Sequence, residues 1–499
     1  MLKWIALTAC MLFTINTQAQ TNLPPKREFR AVWIATVGNI DWPSKQGLPA
    51  EQQQQEFIDL LERCKQNGLN AVIVQIRPSA DALYESPYEN WSRYLSGKQG
   101  QPPLPFYDPL TFMVKECHDR CMEFHAWFNP YRALVDASKN PNTPEHITNT
   151  HPEWFLNYGG KKYFDPGLPE VRAYFTKIVL DVVKRYDIDA VHFDDYFYPY
   201  RIAHVEFPDF RSYAKYGLDY PTKDEWRRDN VNKLIEDLSK KIKELKPYVK
   251  FGISPFGVWR NIAKDPDGSY TTAGQTNYDD LYADVILWLK KGWIDYILPQ
   301  LYWENGHRAA DYTELLRWWG QHAFSRHLYI GHGLYQVGVS TKACWRSMNE
   351  IDVQVQKLRA NTHVQGSAYY SANAFKKDKC NLNYSMQYDI NPKPALLPVM
   401  NWIDNTAPQS PQVKLTRNRD GKKQLQWTVS NPKQEALQFA VYRFLTTEKA
   451  DISDASHLID IVRGESYIDK TATANASYKY IVTALDRLHN ESLPSAVAE

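Results

Sequence analysis

Eight times between residue 29 and about residue 375, a short run rich in β-branched and aromatic residues gives way to a longer run with helical periodicity. Such alternation specifies a parallel sheet wrapped by helices, because parallel neighbours need a crossover long enough to hold a helix. The strand candidates are FRAVWIAT (29–36), NAVIVQIR (70–77), EFHAWFNPY (123–131), DAVHFDDY (189–196), KFGISPFG (250–257), DYILPQLYW (295–303), HLYIGHGLY (327–335) and GSAYYSAN (366–373). Two intervening helices carry clear apolar stripes: Val171, Phe175, Ile178, Val179, Val182 and Tyr186 in one, and Val231, Leu234, Ile235, Leu238, Ile242 and Leu245 in the other. Eight β/α units imply a closed barrel with its functional site at the C-terminal strand ends. The expected class is α/β, a (β/α)8 TIM barrel over residues 26–403.

Near Trp402 the pattern changes. Asp404-Asn405-Thr406-Ala407-Pro408 followed by Ser410-Pro411 has linker composition. Beyond it KQLQWTVS, LQFAVYRF and SYKYIVTALD read as short alternating strands, an all-β sandwich over residues 406–499. Trp427, Tyr442, Tyr478 and the stretch TALDRLHNESLPS at 483–495 resemble a fibronectin type III domain. No catalytic constellation is visible in that module.

Met1-Leu2-Lys3, an apolar stretch from Trp4 to Ile15 and the polar Asn16-Thr17-Gln18-Ala19 have the layout of a secretory signal peptide. Residues 1–19 are therefore expected to be a leader cleaved after Ala19, which implies a periplasmic or secreted protein. Leu7-Thr8-Ala9-Cys10 offers a lipoprotein alternative, ranked second because it leaves an apolar core of about six residues against the usual ~7–15. No other segment has the length and apolarity of a membrane helix. Without Cys10 the cysteines are Cys64, Cys117, Cys121, Cys344 and Cys380, an odd set that argues against a full disulfide framework. Cys117 and Cys121 flank His118, but Leu110, Val114, Cys117 and Cys121 recur at helical spacing, so core packing is favoured over zinc. No metal or cofactor is expected. With 59 Lys+Arg against 57 Asp+Glu, and no basic block, nucleic acid is excluded as a partner. Oligomeric state is left open.

The chemistry concentrates in AVHFDDYFYPY at 190–200, where an apolar strand runs into two carboxylates and then a cluster of aromatic residues. Buried carboxylates are costly without partners or a task, and the faces of Tyr196, Phe197, Tyr198 and Tyr200 suit a pyranose ring. Strand parity sorts the polar side chains. Gln75 and Arg77 share one face, as do His125 and Asn129, His192 and Asp194, and Gln300, Tyr302 and Glu304. Asp194 is thereby the inward carboxylate, with Asp195 retained because bulges at strand ends can spoil parity. Glu304 is the nearest second carboxylate by this argument. Two carboxyl groups across a barrel mouth are what glycoside hydrolysis needs.

The stretches FRAVWIATVGNIDWPS (29–44), VQIRPSADALYES (74–86), HAWFNPYR (125–132), FDPGLPEVR (164–172), VHFDDYFYP (191–199), GISPFGVWRN (252–261) and DYILPQLYW (295–303) resemble the bacterial glycosyl-hydrolase-like family 10. The resemblance covers roughly residues 26–400. It implies a TIM-barrel hydrolase of cell-envelope glycans, with peptidoglycan strands stripped of their stem peptides as substrate, and it supports Asp194 and Asp195. A binding shell is expected at or beyond the C-terminal strand ends: Arg77, Asp81, Asn129, Tyr131, Arg132, Asp165, Tyr196, Tyr198, Trp259, Arg260, Gln300, Tyr302, Trp303 and Tyr370. The expected roles are Asp194 as nucleophile or base, Glu304 as proton donor and Asp195 as a supporting charge. The alternatives are hydrolysis of another polysaccharide, or glycan binding by an inactive barrel.

Overall fold

The computed structural model describes residues 24–137, 143–420, 422–429, 438–473 and 475–499. The expected leader, its cleavage position and Cys10 lie outside the described residues. Eight parallel strands close into a barrel: β1 (Phe29–Ile34), β2 (Ala71–Arg77), β3 (Glu123–Phe128), β4 (Ala190–Phe193), β5 (Lys250–Ile253), β6 (Tyr296–Ile297), β7 (His327–His332) and β8 (Val364–Tyr369). Neighbours in the chain are neighbours in the barrel, and β8 closes onto β1 from Phe29↔Gly366 to Val32↔Tyr369.

Helices cover the barrel as their stripes require. On α1 (Ala50–Gln66) the buried residues include Phe57, Leu61 and Cys64. Helix α2 (Pro109–Asp119) starts with Pro109 behind the Asp108 cap, whose carboxylate accepts from the Leu110 and Thr111 amides, and it buries Met113, Val114 and Cys117. Both α3 (Pro169–Arg185) and α4 (Lys223–Leu245) bury the expected stripes, except that Leu245 at the last turn of α4 is exposed. Among the described residues no helix is long and apolar enough to cross a membrane.

The two faces of the strands part as parity demands. Val32, Val72, Phe124, Val191 and Phe193 meet the helices, whereas Phe29, Trp33, Ile73, Trp127, Tyr296, Leu298 and Tyr329 fill the barrel. Inside, the Tyr296 hydroxyl lies 2.8 Å from His125 Nδ1 and 2.9 Å from His192 Nδ1. The Tyr296 ring occupies the space a side chain at position 252 would need, which explains Gly252 in the middle of β5.

Beyond the linker six strands among the described residues form two facing antiparallel sheets. One joins β9 (Gln412–Arg417), β10 (Lys423–Thr428) and β13 (Ser466–Ile468), and the other joins β12 (Leu458–Val462), β11 (Gln438–Leu445) and β14 (Tyr478–Leu485). Leu425 and Trp427 from the first pack on Phe439, Tyr480 and Val482 from the second. The segment after β14 docks under the N-terminal ends of the barrel strands. There His489 Nε2 lies 2.7 Å from Glu123 Oε1, and Arg487 pairs with Asp187 at 2.6 Å and Asp189 at 3.3 Å.

Candidate active site

Asp194 follows β4 directly and keeps the inward parity of Ala190 and His192. Its carboxylate is buried but not bare: Trp127 Nε1 donates to it at 3.0 Å, and Asn129 Nδ2 lies 3.2 and 3.3 Å from its two oxygens. Burial pushes its pKa up, while the Arg132 guanidinium and these donors pull it back. Asp195 is equally buried, and there burial and then the neighbouring charge of Asp194 push the carboxyl up to about 7. The Tyr200 hydroxyl donates to Asp195, and Gln300 adds a further hydrogen bond that favours the charged form. A carboxyl group poised near 7 holds a proton it can deliver at neutral pH, whereas its neighbour, with more hydrogen-bond donors and the Arg132 charge beside it, is the better stabilised carboxylate of the pair.

Aromatic rings surround this pair. Trp33, rising from the barrel interior, meets Tyr302 edge-on at 6.5 Å and Tyr370 at 6.2 Å, and those two tyrosines lie 5.9 Å apart. Tyr335 joins them at 5.9 Å from Tyr302. On the other side Tyr196 and Tyr200 are 5.4 Å apart, and Tyr200 meets Phe256, which meets Trp303. Asn129 ties the site together, because its Oδ1 accepts from the Arg132 amide at 2.9 Å while its Nδ2 serves Asp194. Arg132 lies over the Tyr196 ring at 5.3 Å and spends Nε on the Pro78 carbonyl at 3.0 Å, while its terminal nitrogens have no hydrogen-bond partner among the described residues. Strands or their ends thus gather Asn129, Arg132, Asp194, Asp195, Tyr196, Gln300, Tyr302 and Tyr370 in one mouth.

Other expected residues lie elsewhere. Register shifts between Gln75 and Arg77, so the two do not share a face. Arg77 turns to the helix side, buried over the Phe164 and Phe175 rings and clamped by Glu89 at 2.7 and 2.5 Å. Asp81 is buried against Ser92 and the Ser79 amide, its pKa raised by burial to about 7. Tyr131 and Tyr198 are buried, and Asp165 accepts from the Gly167 amide at 2.9 Å with its pKa raised by burial to about 6. Trp259 stacks on Trp318 at 5.6 Å, and Arg260 is held by Asp279 and Asp265 at 2.8 and 2.6 Å. Glu304 bonds Lys342 at 2.6 Å. Although partial burial pushes its carboxyl up, that ammonium carries it below the usual value, the opposite of what a proton donor needs.

The sequence reading did not select Trp127, Trp33, Tyr335 or Asp41, and it took Tyr200 for a sugar-facing ring rather than a donor to Asp195. Trp127 shares the parity of His125 and Asn129, and a sort that admitted indole N–H donors along with charged residues would have found it. Asp41, on the loop after β1, accepts from the Ala35 and Asn373 amides and the Ser371 hydroxyl, each at 2.7 Å, and so braces the loop that carries Tyr370.

A sequence profile described as Glycosyl hydrolase-like 10 matches residues 28–347. The chain belongs to this family. Glycosyl hydrolase YngK of Bacillus subtilis (strain 168) is 46% identical over 490 residues, covering 97% of this chain and 95% of its own. Glycosyl hydrolase DigH of Escherichia coli (strain K12) is 40% identical over 342 residues, 64% of this chain and 76% of its own. Among solved structures the PgaB (BpsB) glycoside hydrolase domain from Bordetella bronchiseptica covers 73% of this chain at 13% identity and a TM-score of 0.45, too loose a likeness to transfer residue roles. The protein is a glycoside hydrolase with a carbohydrate substrate, as expected, and the alternative of an inactive, merely glycan-binding barrel is set aside.

Proposed function

We propose that this glycoside hydrolase cuts cell-envelope glycans outside the cytoplasm, and that its preferred substrate is peptidoglycan glycan stripped of stem peptides. In this reading Asp195 is the proton donor and Asp194 the ionised partner beneath it. The donor role moves from Glu304 to Asp195 because Glu304 is committed to Lys342, whereas Asp195 combines burial, a like charge next door and a pKa near 7.

The observation that carries the substrate is Arg132. Its guanidinium lies over Tyr196 beside Asp194, with its terminal nitrogens unengaged among the described residues. A stripped muramic acid residue carries a free lactyl carboxylate, which a guanidinium binds in a planar, bidentate way. With the stem peptide attached the same group is an amide, and in chitin it is absent. Arg77 and Arg260, the other arginines expected to read this group, are held by Glu89 and by Asp265 and Asp279.

Purified protein should therefore release new reducing ends from denuded strands faster than from intact peptidoglycan or chitin oligomers. Arg132→Met should erase the preference over chitin while largely sparing chitin cleavage. Equal wild-type rates on denuded strands and chitin would remove the basis for the muramic acid assignment and favour a broader polysaccharide hydrolase.

A further inference from the structure

We infer that the nucleophile of this hydrolase is the substrate's own 2-acetamido group, with Asp194 holding its N–H and Asp195 delivering the proton. The inference rests on the hydrolase reading of the same two carboxylates. A glycosidase that uses two protein carboxylates needs them on opposite faces of the sugar, about 5–5.5 Å apart for a covalent nucleophile or about 6.5–9.5 Å when water intervenes. Asp194 and Asp195 are consecutive, with α-carbons about 3.8 Å apart, so both carboxyl groups spring from the single point on the mouth where β4 ends. One can protonate the leaving oxygen, but the other cannot then reach the far face of the anomeric carbon.

The other carboxylates considered for the mouth are committed. Glu304 pairs with Lys342 at 2.6 Å, and Asp41 is consumed by two backbone amides and the Ser371 hydroxyl. The surroundings of Asp194 fit an orienting role instead. Trp127, Asn129 and, at 3.4 Å, the Tyr196 amide fix its two oxygens in place, and of the roughly four acceptor positions of a carboxylate this leaves one for an amide N–H. Trp33, Tyr302 and Tyr370 form an aromatic corner in the mouth suited to the acetamide methyl.

The step balances without any further reagent. The acetamide carbonyl oxygen forms a bond to the anomeric carbon as the glycosidic C–O bond breaks, and the departing oxygen keeps the bonding pair and takes the proton of Asp195. The bicyclic oxazolinium ion so formed carries its positive charge next to the Asp194 carboxylate. Water then attacks the same carbon, gives its proton to Asp195, and the carbon–oxygen bond to the acetamide breaks. Two displacements at one carbon give overall retention of configuration.

The test compares denuded glycan strands and chitin oligomers before and after chemical N-deacetylation, and chitin oligomers rebuilt with mono-, di- and trifluoroacetamido groups. Removing the acetyl group should cost about 10³-fold or more in kcat, the scale of losing an intramolecular nucleophile. Fluorination should lower kcat stepwise with little change in KM, because it weakens the carbonyl as a nucleophile without altering its size much. The first-formed anomer seen by NMR should retain configuration. A thiazoline analogue of the bicyclic ion should inhibit the wild type and lose affinity with Asp194→Ala. Unimpaired cleavage of the deacetylated strands, or inversion, overturns the inference and leaves the hydrolase reading intact. Failure to cut every glycan offered overturns both.

Discussion

Tyr200 donates its hydroxyl to Asp195, the carboxyl proposed to carry the catalytic proton, so the proposed mechanism makes it a control on the pH dependence of the reaction. A hydrogen bond to a carboxylate favours the charged form, so it lowers the pKa that burial and Asp194 raise. With Asp195 as the proposed proton donor, activity should require its protonated form and fall as pH climbs through about 7. Tyr200→Phe should therefore move the alkaline limb of kcat/KM to higher pH, while Asp195→Asn should abolish that limb and cost about 10²–10⁴-fold for natural leaving groups. Glu304→Gln should leave the limb where it is; if it erases the limb, Glu304 is the donor after all. The linkage sign is also fixed. Because the folded pKa of Asp195 lies above its unfolded value of about 3.9, native stability falls as pH rises between the two. Asp195→Asn should consequently raise Tm more at pH 8 than at pH 4, the mark of a site whose function costs stability. Asp194 was legible from parity because β4 runs regularly into it. Arg77 was not, since one register shift after Gln75 reverses every later side chain on β2.

Eight strands were countable from their alternation with striped helices, yet their lengths were not. Strand six shows why: only Tyr296 and Ile297 pair as a strand, and Gln300 then makes isolated bridges to Phe256 and Gly331. Parity extended to Glu304 is thus parity carried into a loop, where the Lys342 ion pair rather than the pleat directs the side chain. A second element was invisible to pattern reading. Between β3 and α3 the chain folds Arg132–Leu134, Phe155–Tyr158 and Lys161–Phe164 into a small antiparallel sheet, in which Arg132 faces Tyr163 across the ladder. Strands of three or four residues carry too few alternations to register as strands. That sheet fixes the backbone from which Arg132 reaches Tyr196. At the middle of the barrel, β5 depends on Gly252. A Cβ there would drive into the Tyr296 ring, which is locked between His125 and His192. Gly252→Ala should destabilise by about 1–3 kcal/mol, the usual scale of core overpacking, read as a lower denaturant midpoint with unchanged m-value.

At the scale of the whole chain the two-part organisation was legible from the change of period near Trp402, but the way the parts join was not, because no periodicity reports a contact between residues 366 apart. His489 inserts beneath the barrel and meets Glu123, whose carboxylate also takes Lys250 and His125. Arg487 adds its pairs to Asp187 and Asp189, and Lys26 returns the favour by pairing with Glu491 at 2.8 Å. Burial alone would raise the Glu123 pKa, but Lys250 and the two histidines hold it well below the ordinary range. A carboxyl depressed in this way stabilises the fold above its unfolded pKa of about 4.3 and loses that contribution only as pH falls through the lower folded value. The module is therefore part of the barrel floor, although every residue assigned to chemistry lies at the opposite end of the strands. A chain ending at Asp404 should keep its kcat on short soluble glycans for whatever fraction remains folded, yet show a markedly lower Tm. In the full chain His489→Leu should reproduce much of that loss, up to the about 3–5 kcal/mol associated with breaking a buried ion pair, with Lys250 and His125 limiting the damage. Equal stability of the shortened and full chains would show that the floor closes without the module. A fall in kcat at unchanged stability would instead mean that the sandwich reaches the site through the barrel interior, along the His125, Tyr296 and His192 hydrogen bonds that connect Glu123 to the strand bearing Asp194.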